Sequence, residues 1–597
     1  MNKQYIIFLF SLLLIGLMGC RKDSDVIIDT PDNPLPQIEF DAVVQGIITD
    51  RQGQPLGQVQ VTFGPQSVET DAKGAFLISH TIQGQRGILH LRKPGYFDLQ
   101  KAVMASKVGL ARTFIQLTER GDAPRISSSQ GGAIEISGGG RVEFAPNSFE
   151  DEFGNAYTGE VAVYSYYIDP TDPKVEQFVP GDLSGFDSED NLRGLQSFGM
   201  VKVELEGDAG QRLQINQAAT LEIPVPDALQ WQAPSAIPLW YFDEALGFWK
   251  EEGEAMLQGD FYIGQVRHFS FWNCDIPIET VFFEATIRTP SNSGLPTTVR
   301  MTQLSNGDQR TTHSSIDGYF SGLVPANEEL RLDIFDNCGG LLHTENIAPM
   351  SSDPILRIIT VDGNLSFFSA DIVSCTAGPL SKPYLTIDIP GSQEQLLLFA
   401  NERGRVAGTI ATCGASELTI RAYDLIGQLQ SNPQTLAVTP VIDPGFLSTC
   451  NGVTEIVTLE FDGRRHDMVY FGSFTPDELL LTGQPAGTTK SFSHEVVDQI
   501  SLNSSADYGI DIDIMKEPGN TGQVYIFNGL NLREYSADAI TYSVEAVMSG
   551  GQLIENGLDT GDEVQLRWEN VIVKEGIGGN FTNEYPGGAI TLTFVLR

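Results

Sequence analysis

The sequence predicts an all-β protein made of tandem β-sandwich domains that follow an export signal. Glycine (61 residues) and proline (31 residues) are abundant and 19% of the 597 residues are charged, which is typical of a folded chain dense in turns. Short stretches of alternating apolar and polar residues recur between turn-forming residues, as β-strands joined by tight turns require. At about 150 residues per domain, this length predicts roughly four domains.

The charge balance excludes two classes of partner. The chain has 37 Lys and Arg residues against 77 Asp and Glu residues, a formal net charge of -40. Such an acidic surface repels phosphate backbones and anionic lipid headgroups. We therefore expect no nucleic-acid partner and no membrane attachment through a basic patch.

Residues 1–19 predict a lipoprotein signal peptide. Lys3 precedes an apolar run that ends at Met18 and is too short to be a stable membrane span. The run ends in Leu17-Met18-Gly19-Cys20, which resembles the bacterial lipobox, in which the cysteine is acylated and becomes the first mature residue. The resemblance implies that acyl chains such as palmitate on Cys20 attach the protein to a membrane. An ordinary signal peptide with a chance cysteine is the alternative.

Residues 20–40 predict a flexible tether, because they are rich in aspartate and proline and show no sustained apolar period. Arg21-Lys22-Asp23 resembles the short charged signals that send some Gram-negative lipoproteins to the outer face of the outer membrane. A plain solvated linker is the alternative reading of these three residues. We therefore expect a lipid anchor in the outer membrane, with the inner or outer face left open.

Residues 41–118 predict the first sandwich. Asp50–Gly53 and Asp71–Gly74 are expected to form reverse turns, in which the aspartate binds backbone amides and the glycine takes a positive φ. The apolar side chains of the intervening strands are expected to face one core. This pattern resembles the carboxypeptidase regulatory-like domain, a seven-stranded transthyretin-like sandwich. The resemblance implies a module of surface and transport proteins that has no catalytic residues of its own.

The same pattern recurs twice in weaker form, over residues 281–370 and 371–450. The first of these contains Ile316-Asp317-Gly318-Tyr319-Phe320 before the strand at Leu330, and the second contains Asn401-Glu402-Arg403-Gly404 before the strand at Leu418. The similar spacing predicts internal repeats of one Ig-like or transthyretin-like sandwich.

Residues 126–276 predict a different β-rich interaction domain. It opens with Gly131-Gly132-Ala133-Ile134 and ends near His268-Phe269-Ser270-Phe271, and it resembles the extracellular unit of cartilage intermediate layer proteins and, more distantly, a ZU5 domain. Aromatic side chains on a sandwich can stack on sugar rings or peptides. The candidate binding surface consists of Trp231, Trp240, Trp249 and Trp272. Burial of these rings in the core is the alternative.

Residues 451–597 predict a C-terminal β-sandwich or jelly roll of unknown role. Alternation is clear in Val453–Phe461 and again in Ala589–Leu596 at the chain end. We expect the last strand to complete a sheet.

Five cysteines remain after the lipidated one. Cys338, Cys375, Cys413 and Cys450 are spaced 37, 38 and 37 residues apart, which suits two disulfides in an oxidising compartment. Three pairings are possible, and the favoured one joins Cys338 to Cys375 and Cys413 to Cys450. Cys274 is expected to be unpaired and buried behind Trp272.

The search for catalytic chemistry predicts no enzyme, no cofactor and no metal site. The seven histidines form no HExxH pattern, and neither a GxSxG nucleophile motif nor a Walker loop is present. The acidic run Asp187–Asp190, with Asp169 and Asp172, is expected to be solvated loop charge, with a calcium site as the alternative. Paired carboxylates for glycoside hydrolysis are left open, since their separation depends on the fold.

These observations predict a non-catalytic cell-envelope lipoprotein that acts as a surface binding or scaffolding protein. One alternative is an adhesin for a glycan or matrix protein, and another is an accessory subunit of an outer-membrane transporter. An enzyme with its site in residues 451–597 is the least favoured reading.

Overall fold

A computed structural model describes residues 39–105, 109–354, 356–373, 382–392, 395–401, 403–425 and 429–449, together with the strands between 456 and 595. These residues form β-strands joined by turns, with two short 3-10 segments, Val175–Gln177 and Gln230–Gln232, so the all-β prediction is confirmed. In this part of the chain, no helix has the length and apolar character needed to cross a membrane. Cys20, the signal peptide and residues 21–38 of the predicted tether lie outside the described residues, whereas Glu39 and Phe40, its last two residues, belong to the first strand.

The first unit, residues 39–117, is a sandwich of a three-stranded and a four-stranded sheet. Its strands are β1 (Glu39–Asp50), β2 (Gln60–Phe63), β3 (Gln66–Glu69), β4 (Ala75–Gln83), β5 (Arg86–Arg92), β6 (Leu99–Met104) and β7 (Ala111–Leu117). The sheet orders are β4-β1-β7 and β3-β2-β5-β6, and β1 runs antiparallel to β4 but parallel to β7. Apolar side chains from both sheets meet in one core.

The two turns predicted in this unit are confirmed. Asp50 Oδ1 accepts hydrogen bonds from the amides of Gln52 and Gln54, and Gly53 has a φ of 82°. Asp71 Oδ1 accepts from the amides of Lys73 and Ala75 in the same way. Gly74 must be a glycine, because a Cβ there would lie 2.2 Å from the carbonyl oxygen of Ile48.

The second unit, residues 125–278, is a single branched sheet of thirteen strands. Its strands are β8 (Arg125–Ser127), β9 (Gly132–Glu135), β10 (Arg141–Phe144), β11 (Phe149–Asp151), β12 (Glu160–Ile168), β13 (Ser184–Phe186), β14 (Leu192–Glu206), β15 (Arg212–Ile215), β16 (Ala219–Pro224), β17 (Ala236–Asp243), β18 (Phe248–Gln258), β19 (Phe261–Val266) and β20 (Phe271–Ile278). The long β14 organises the unit, since it pairs with β12, β13, β15 and β20.

The third unit, residues 280–360, repeats the strand order of the first. Its strands are β21 (Thr280–Arg288), β22 (Thr298–Gln303), β23 (Gln309–His313), β24 (Tyr319–Pro325), β25 (Leu330–Phe335), β26 (Leu341–Ile347) and β27 (Arg357–Thr360). The sheet orders are β24-β21-β27 and β23-β22-β25-β26, with β21 antiparallel to β24 and parallel to β27.

The fourth unit, residues 365–448, has the same arrangement with two short extra strands. It contains β28 (Leu365–Val373), β29 (Pro383–Asp388), β30 (Leu396–Phe399), β31 (Arg405–Ala411), β32 (Glu417–Asp424), β33 (Leu429–Gln430), β34 (Gln434–Ala437), β35 (Val441–Ile442) and β36 (Phe446–Ser448). The predicted boundary between residues 370 and 371 falls inside β28, which pairs with β31, β35 and β36. Alternation alone does not show to which sheet a strand belongs, so the boundary was misplaced by a few residues.

The C-terminal region consists of nine strands that belong to one hydrogen-bonded sheet. Its strands are β37 (Ile456–Phe461), β38 (Arg464–Phe471), β39 (Thr489–Val497), β40 (Tyr508–Lys516), β41 (Gln523–Glu534), β42 (Ile540–Glu545), β43 (Leu553–Ile554), β44 (Glu563–Ile577) and β45 (Asn580–Val595). The additional antiparallel pairing of β40 with β41 links one end of the strand order β40-β39-β38-β37-β45-β44-β42-β41-β43 to a strand near its other end. The last strand, β45, lies between β37 and β44.

The first four units pack against one another into one body and are not independent domains on a flexible string. Core side chains of the first unit form one continuous apolar cluster with Trp240, Trp249 and Phe178 of the second unit. A second cluster joins the first unit to the fourth around Tyr384. A third places Phe282 of the third unit against apolar side chains of the second unit.

Candidate functional site

A cavity of about 230 Å³ lies where the first three units meet. Its wall is formed by β6 and β7 of the first unit, residues 173–195 of the second, and β23 and β24 of the third. Ionisable side chains from all three units line it or lie directly behind the wall. A concave site with a few convergent polar groups is where ligand binding or chemistry is expected.

An ion pair behind the wall connects the first unit to the second. Arg86 donates from Nε and Nη2 to the two carboxylate oxygens of Asp182, at 2.9 and 3.0 Å. The Arg86 side chain is 5% exposed, and its guanidinium lies 3.7 Å from the ring centroid of Phe248. Burial alone would raise the pKa of Asp182, but the charge and hydrogen bonds of Arg86 outweigh it and hold that pKa below its usual value.

A buried lysine makes a second connection between these units. Lys101 is 6% exposed, and its Nζ donates to the carbonyl oxygens of Val179 and Gly181 at 3.2 and 3.0 Å. Burial lowers the pKa of Lys101, and the nearby carboxylates of Glu176 and Asp182 oppose that shift. The lysine thus bridges β6 to the second unit through backbone carbonyls.

The third unit contributes an arginine to the same wall. Arg310 donates from Nη2 to the carbonyl oxygen of Leu195 at 2.6 Å and from Nη1 to Asp308 at 3.1 Å. Its Nε lies 3.7 Å from Glu176 Oε1. Burial raises the pKa of Glu176, although the charge of Arg310 acts in the opposite direction. Arg310 is therefore held by a backbone carbonyl of the second unit and by Asp308 of its own unit.

The contact between the first and fourth units centres on a tyrosine. Tyr384 donates its hydroxyl hydrogen to Asp71, whose other oxygen shapes the turn before β4. The Tyr384 ring stacks on Tyr423, with ring centroids 4.9 Å apart and planes 10° apart. Burial, together with the neighbouring Asp71 carboxylate, raises the pKa of Tyr384, so the hydroxyl remains a donor.

The predicted aromatic binding surface is wrong for three of its four tryptophans. Trp240, Trp249 and Trp272 are fully buried, because their strands place them in the cores of the second unit and of its contact with the first. Trp240 Nε1 donates to the carbonyl oxygen of Asp275, and Trp272 Nε1 donates to that of His268. Trp231, in the short turn after β16, is 73% exposed and is the member of the set that can face a ligand.

The favoured disulfide pairing is also wrong. Cys338 is bonded to Cys413, and the bond joins the turn between β25 and β26 to the turn after β31 of the fourth unit. Even spacing along the chain did not reveal this link, because the two turns meet only when the units pack together. Of the three possible pairings, the one that joins Cys375 to Cys450 remains, and both of those residues lie outside the described part of the chain.

Cys274 has the environment that the sequence predicts. It lies in β20, is fully buried and has no disulfide partner. Burial raises the pKa of its thiol well above the usual value, so the thiolate required for nucleophilic chemistry is disfavoured.

The aspartates of the acidic loops form hydrogen bonds and ion pairs with neighbouring residues. Asp187 accepts from the amides of Glu189 and Asn191 and pairs with Arg193 at 2.8 Å. Asp172 pairs across the unit boundary with Arg51 at 3.0 Å. Over the residues that the structure describes, no group of three or more His, Cys, Asp or Glu side chains is placed to hold a metal ion.

The interface residues were missed at the sequence level. The one signal was the strand Leu99–Met104, where Gln100 and Lys101 stand between apolar residues and therefore predict either an exposed edge or a buried, bonded amine. Arg86, Asp182 and Tyr384 carry no comparable signal, since their partners are 96 to 313 residues away along the chain.

Comparison with known proteins gives partial similarity. No family model matches the chain. Mouse cartilage intermediate layer protein 2 is 27% identical over 152 residues, which is 25% of this chain and 13% of that protein. The human protein of the same name is 23% identical over 259 residues, 39% of this chain and 22% of that protein. The chain therefore spans less than a quarter of the length of these relatives.

Similarity to solved structures is weak. A DUF3823 family protein from Bacteroides uniformis is 12% identical, with a TM-score of 0.14 over 27% of this chain and 100% of that one. The major pilin subunit of Bacillus cereus is 9% identical, with a TM-score of 0.13 over 54% of this chain and 100% of that one. At these scores, the fold assignment rests on the strand pairing described above.

Proposed function

We propose that the protein is a non-catalytic lipoprotein of the cell envelope, and that it acts as a rigid binding or scaffolding body tethered through Cys20. The observation that carries the proposal is how the buried charges are used. Arg86, Lys101 and Arg310 all bind groups that hold units together. A reactive site needs a nucleophile or an acid-base pair directed towards a substrate, whereas Arg86 and Arg310 bind a carboxylate and a backbone carbonyl across the joints between units.

The joints also favour rigidity over a flexible string of domains. The first unit contacts the second through a shared apolar core and the fourth through the Tyr384 cluster. The third unit is bound to the fourth by the Cys338–Cys413 disulfide. These three contacts between units keep the distances between the outer surfaces of the units constant. Constant distances suit a scaffold or a multivalent binder.

The lipid anchor is tested by one substitution. In cells fed a labelled fatty acid, we expect wild type to take up label and to sediment with membranes, and Cys20→Ser to do neither. Cys274→Ser is the matched control, because Cys274 is a free cysteine inside the fold. Label retained in the Cys20→Ser variant would contradict the anchor.

The compartment is tested by protease treatment of intact cells and of cells whose outer membrane has been opened. Digestion on intact cells would place the body outside and favour extracellular partners. Protection until opening would favour a periplasmic scaffold or a transporter partner. Digestion in neither case, with a cytoplasmic protein as marker, would contradict an envelope location.

An adhesin is the second candidate function, and the exposed Trp231 favours it. Stacking of this ring on a sugar or on a peptide side chain would make it a binding hot spot. We expect Trp231→Ala to abolish retention on the polysaccharide or matrix protein that retains wild type. Phe153→Ala is the control, because Phe153 is an equally exposed aromatic residue of the same unit.

A further inference from the structure

The cavity at the junction of the first three units has an unusual charge for this chain. Four basic residues, Lys101, Arg112, Lys174 and Arg310, line it, against the three acidic residues Glu176, Asp182 and Asp308. Asp182 is neutralised by Arg86, which lies outside the wall. The wall thus has a cationic surplus in a protein whose net charge is -40.

Lys101 is the basic residue best placed to bind an anion. It is buried, it lines the cavity, and its ammonium donates two hydrogen bonds, both to backbone carbonyls. Among the described residues, no carboxylate lies within 4.0 Å of its Nζ, whereas Lys202 in the second unit has two carboxylate partners. An ammonium has three donors, so the structure accounts for two of the three on Lys101.

Two of the three nearby acidic groups are hydrogen-bonded to arginines, and the third, Glu176, has an ion-pair contact but no hydrogen bond to its buried Oε1. Asp182 is held by Arg86 in a two-point contact, and Asp308 accepts from Arg310. Glu176 lies against Arg310, at 3.7 Å. A buried ammonium without a close anion is unfavourable, and an anionic ligand beside it would relieve that cost.

The rest of the wall is suited to a small molecule with an apolar part. Met104, Ile278 and Leu323 line the cavity from three different units. The volume of about 230 Å³ is far above the roughly 10–15 Å³ needed for one water molecule. Binding sites of this kind combine an apolar wall with a few charged groups that fix the orientation of the ligand.

We propose that this cavity binds a small organic carboxylate, with the anionic group beside Lys101 and the apolar part against Met104, Ile278 and Leu323. This goes beyond the scaffolding role, and that role stands or falls independently of it. Because three units supply the wall, the ligand would also bridge the joint and stabilise the assembled body.

The test uses benzoate as the probe and isothermal titration calorimetry on the purified protein, with benzyl alcohol as the uncharged match. We expect benzoate to bind and benzyl alcohol to bind at least tenfold more weakly. Lys101→Met should weaken benzoate binding about tenfold or more, the factor for losing one charge-assisted hydrogen bond. Lys93→Met is the control, since Lys93 also donates to a backbone carbonyl but lies outside the cavity wall.

A second variant keeps the test decisive if Lys101→Met does not fold. Gly322 lines the cavity in β24, and a Cβ there meets no heavy atom within 4 Å. Gly322→Ile should therefore fold, fill the cavity and abolish binding, while Gly121→Ile, also in open space, should leave binding unchanged. The proposal is overturned if benzoate does not bind wild type, if benzyl alcohol binds equally well, or if Gly322→Ile retains the wild-type affinity.

Discussion

The first and third units share one strand order, yet their equivalent edge strands have opposite surroundings. In β6, at the edge of the first unit's four-stranded sheet, every residue from Leu99 to Val103 is buried. In β26, at the same position of the third unit, Ile347 is buried and the other residues are exposed or half-buried. The topology of a repeated sandwich therefore does not determine which of its surfaces is free.

The difference comes from the second unit, which covers β6. The Gly181 amide donates to the Gln100 carbonyl at 2.9 Å, and the Ala102 amide donates to the Gly181 carbonyl at 3.3 Å. These bonds occupy backbone groups that an edge strand otherwise leaves open to other chains. The first unit is thus the centre of the body, while the third keeps an outward edge.

We expect the largest loss of stability when the buried ion pair between the first and second units is removed. Arg86→Ala should lower the free energy of unfolding by about 3–5 kcal/mol, because it leaves the Asp182 carboxylate without its partner. Arg357→Ala in the third unit is the match, since Arg357 pairs with Glu345 at 2.8 Å in a more exposed position. There the loss should be at most about 1 kcal/mol.

Urea unfolding of both variants, followed by fluorescence of the buried tryptophans, measures these losses. Equal losses for Arg86→Ala and Arg357→Ala would show that the buried ion pair stabilises the fold no more than the exposed one.

A second matched pair tests the edge strands directly. Leu99 and Leu341 are the first residues of β6 and β26, and they are 3% and 55% exposed. We expect Leu99→Ala to cost about 2–5 kcal/mol and Leu341→Ala about 0.5 kcal/mol or less. Thermal unfolding followed by circular dichroism compares the two, and a larger loss for Leu341→Ala would reverse the assignment of covered and free edges.

The sequence predicted local structure well because local structure depends on near neighbours. The turn at Asp71–Gly74 follows from an aspartate that binds amides two and four residues ahead, and from a glycine that takes a positive φ. The all-β class follows from the alternation of apolar and polar residues between turn-forming residues. The unpaired, buried Cys274 was predicted from its place beside an aromatic strand.

The contacts between units could not be predicted from the sequence, because they join segments that are distant along the chain. Trp240 and Trp249 look like candidates for a surface when read along their strands, and packing of the first two units buries them. Cys338 and Cys413 are 75 residues apart, and only the packing of two units makes them partners. The candidate cavity, whose wall comes from three units, has no local signature for the same reason.

The third unit is fixed covalently by the disulfide, whereas the first is fixed by buried charges. Replacing both cysteines, Cys338→Ser with Cys413→Ser, should lower stability by about 2–4 kcal/mol, the usual value for a loop of this length. Peptide mapping without reduction should recover the two cysteines in one linked product. A product that links Cys338 to Cys375 would contradict the structure.

The smallest expected effect is on the pH dependence of the joint between the first two units. Since Arg86 holds the folded-state pKa of Asp182 below its usual value, this carboxylate stabilises the fold above the unfolded pKa of about 3.9, and the contribution is lost as the pH falls through the folded-state pKa. Asp182→Asn removes the titrating group, so unfolding free energies measured from pH 6 to pH 2 should fall less steeply than in wild type. Asp98→Asn is the control, because Asp98 pairs with Arg92 in an exposed position of the first unit, where ion pairs contribute little. If the slope for Asp182→Asn equals that of wild type, the Arg86–Asp182 ion pair does not contribute to the pH dependence of this joint.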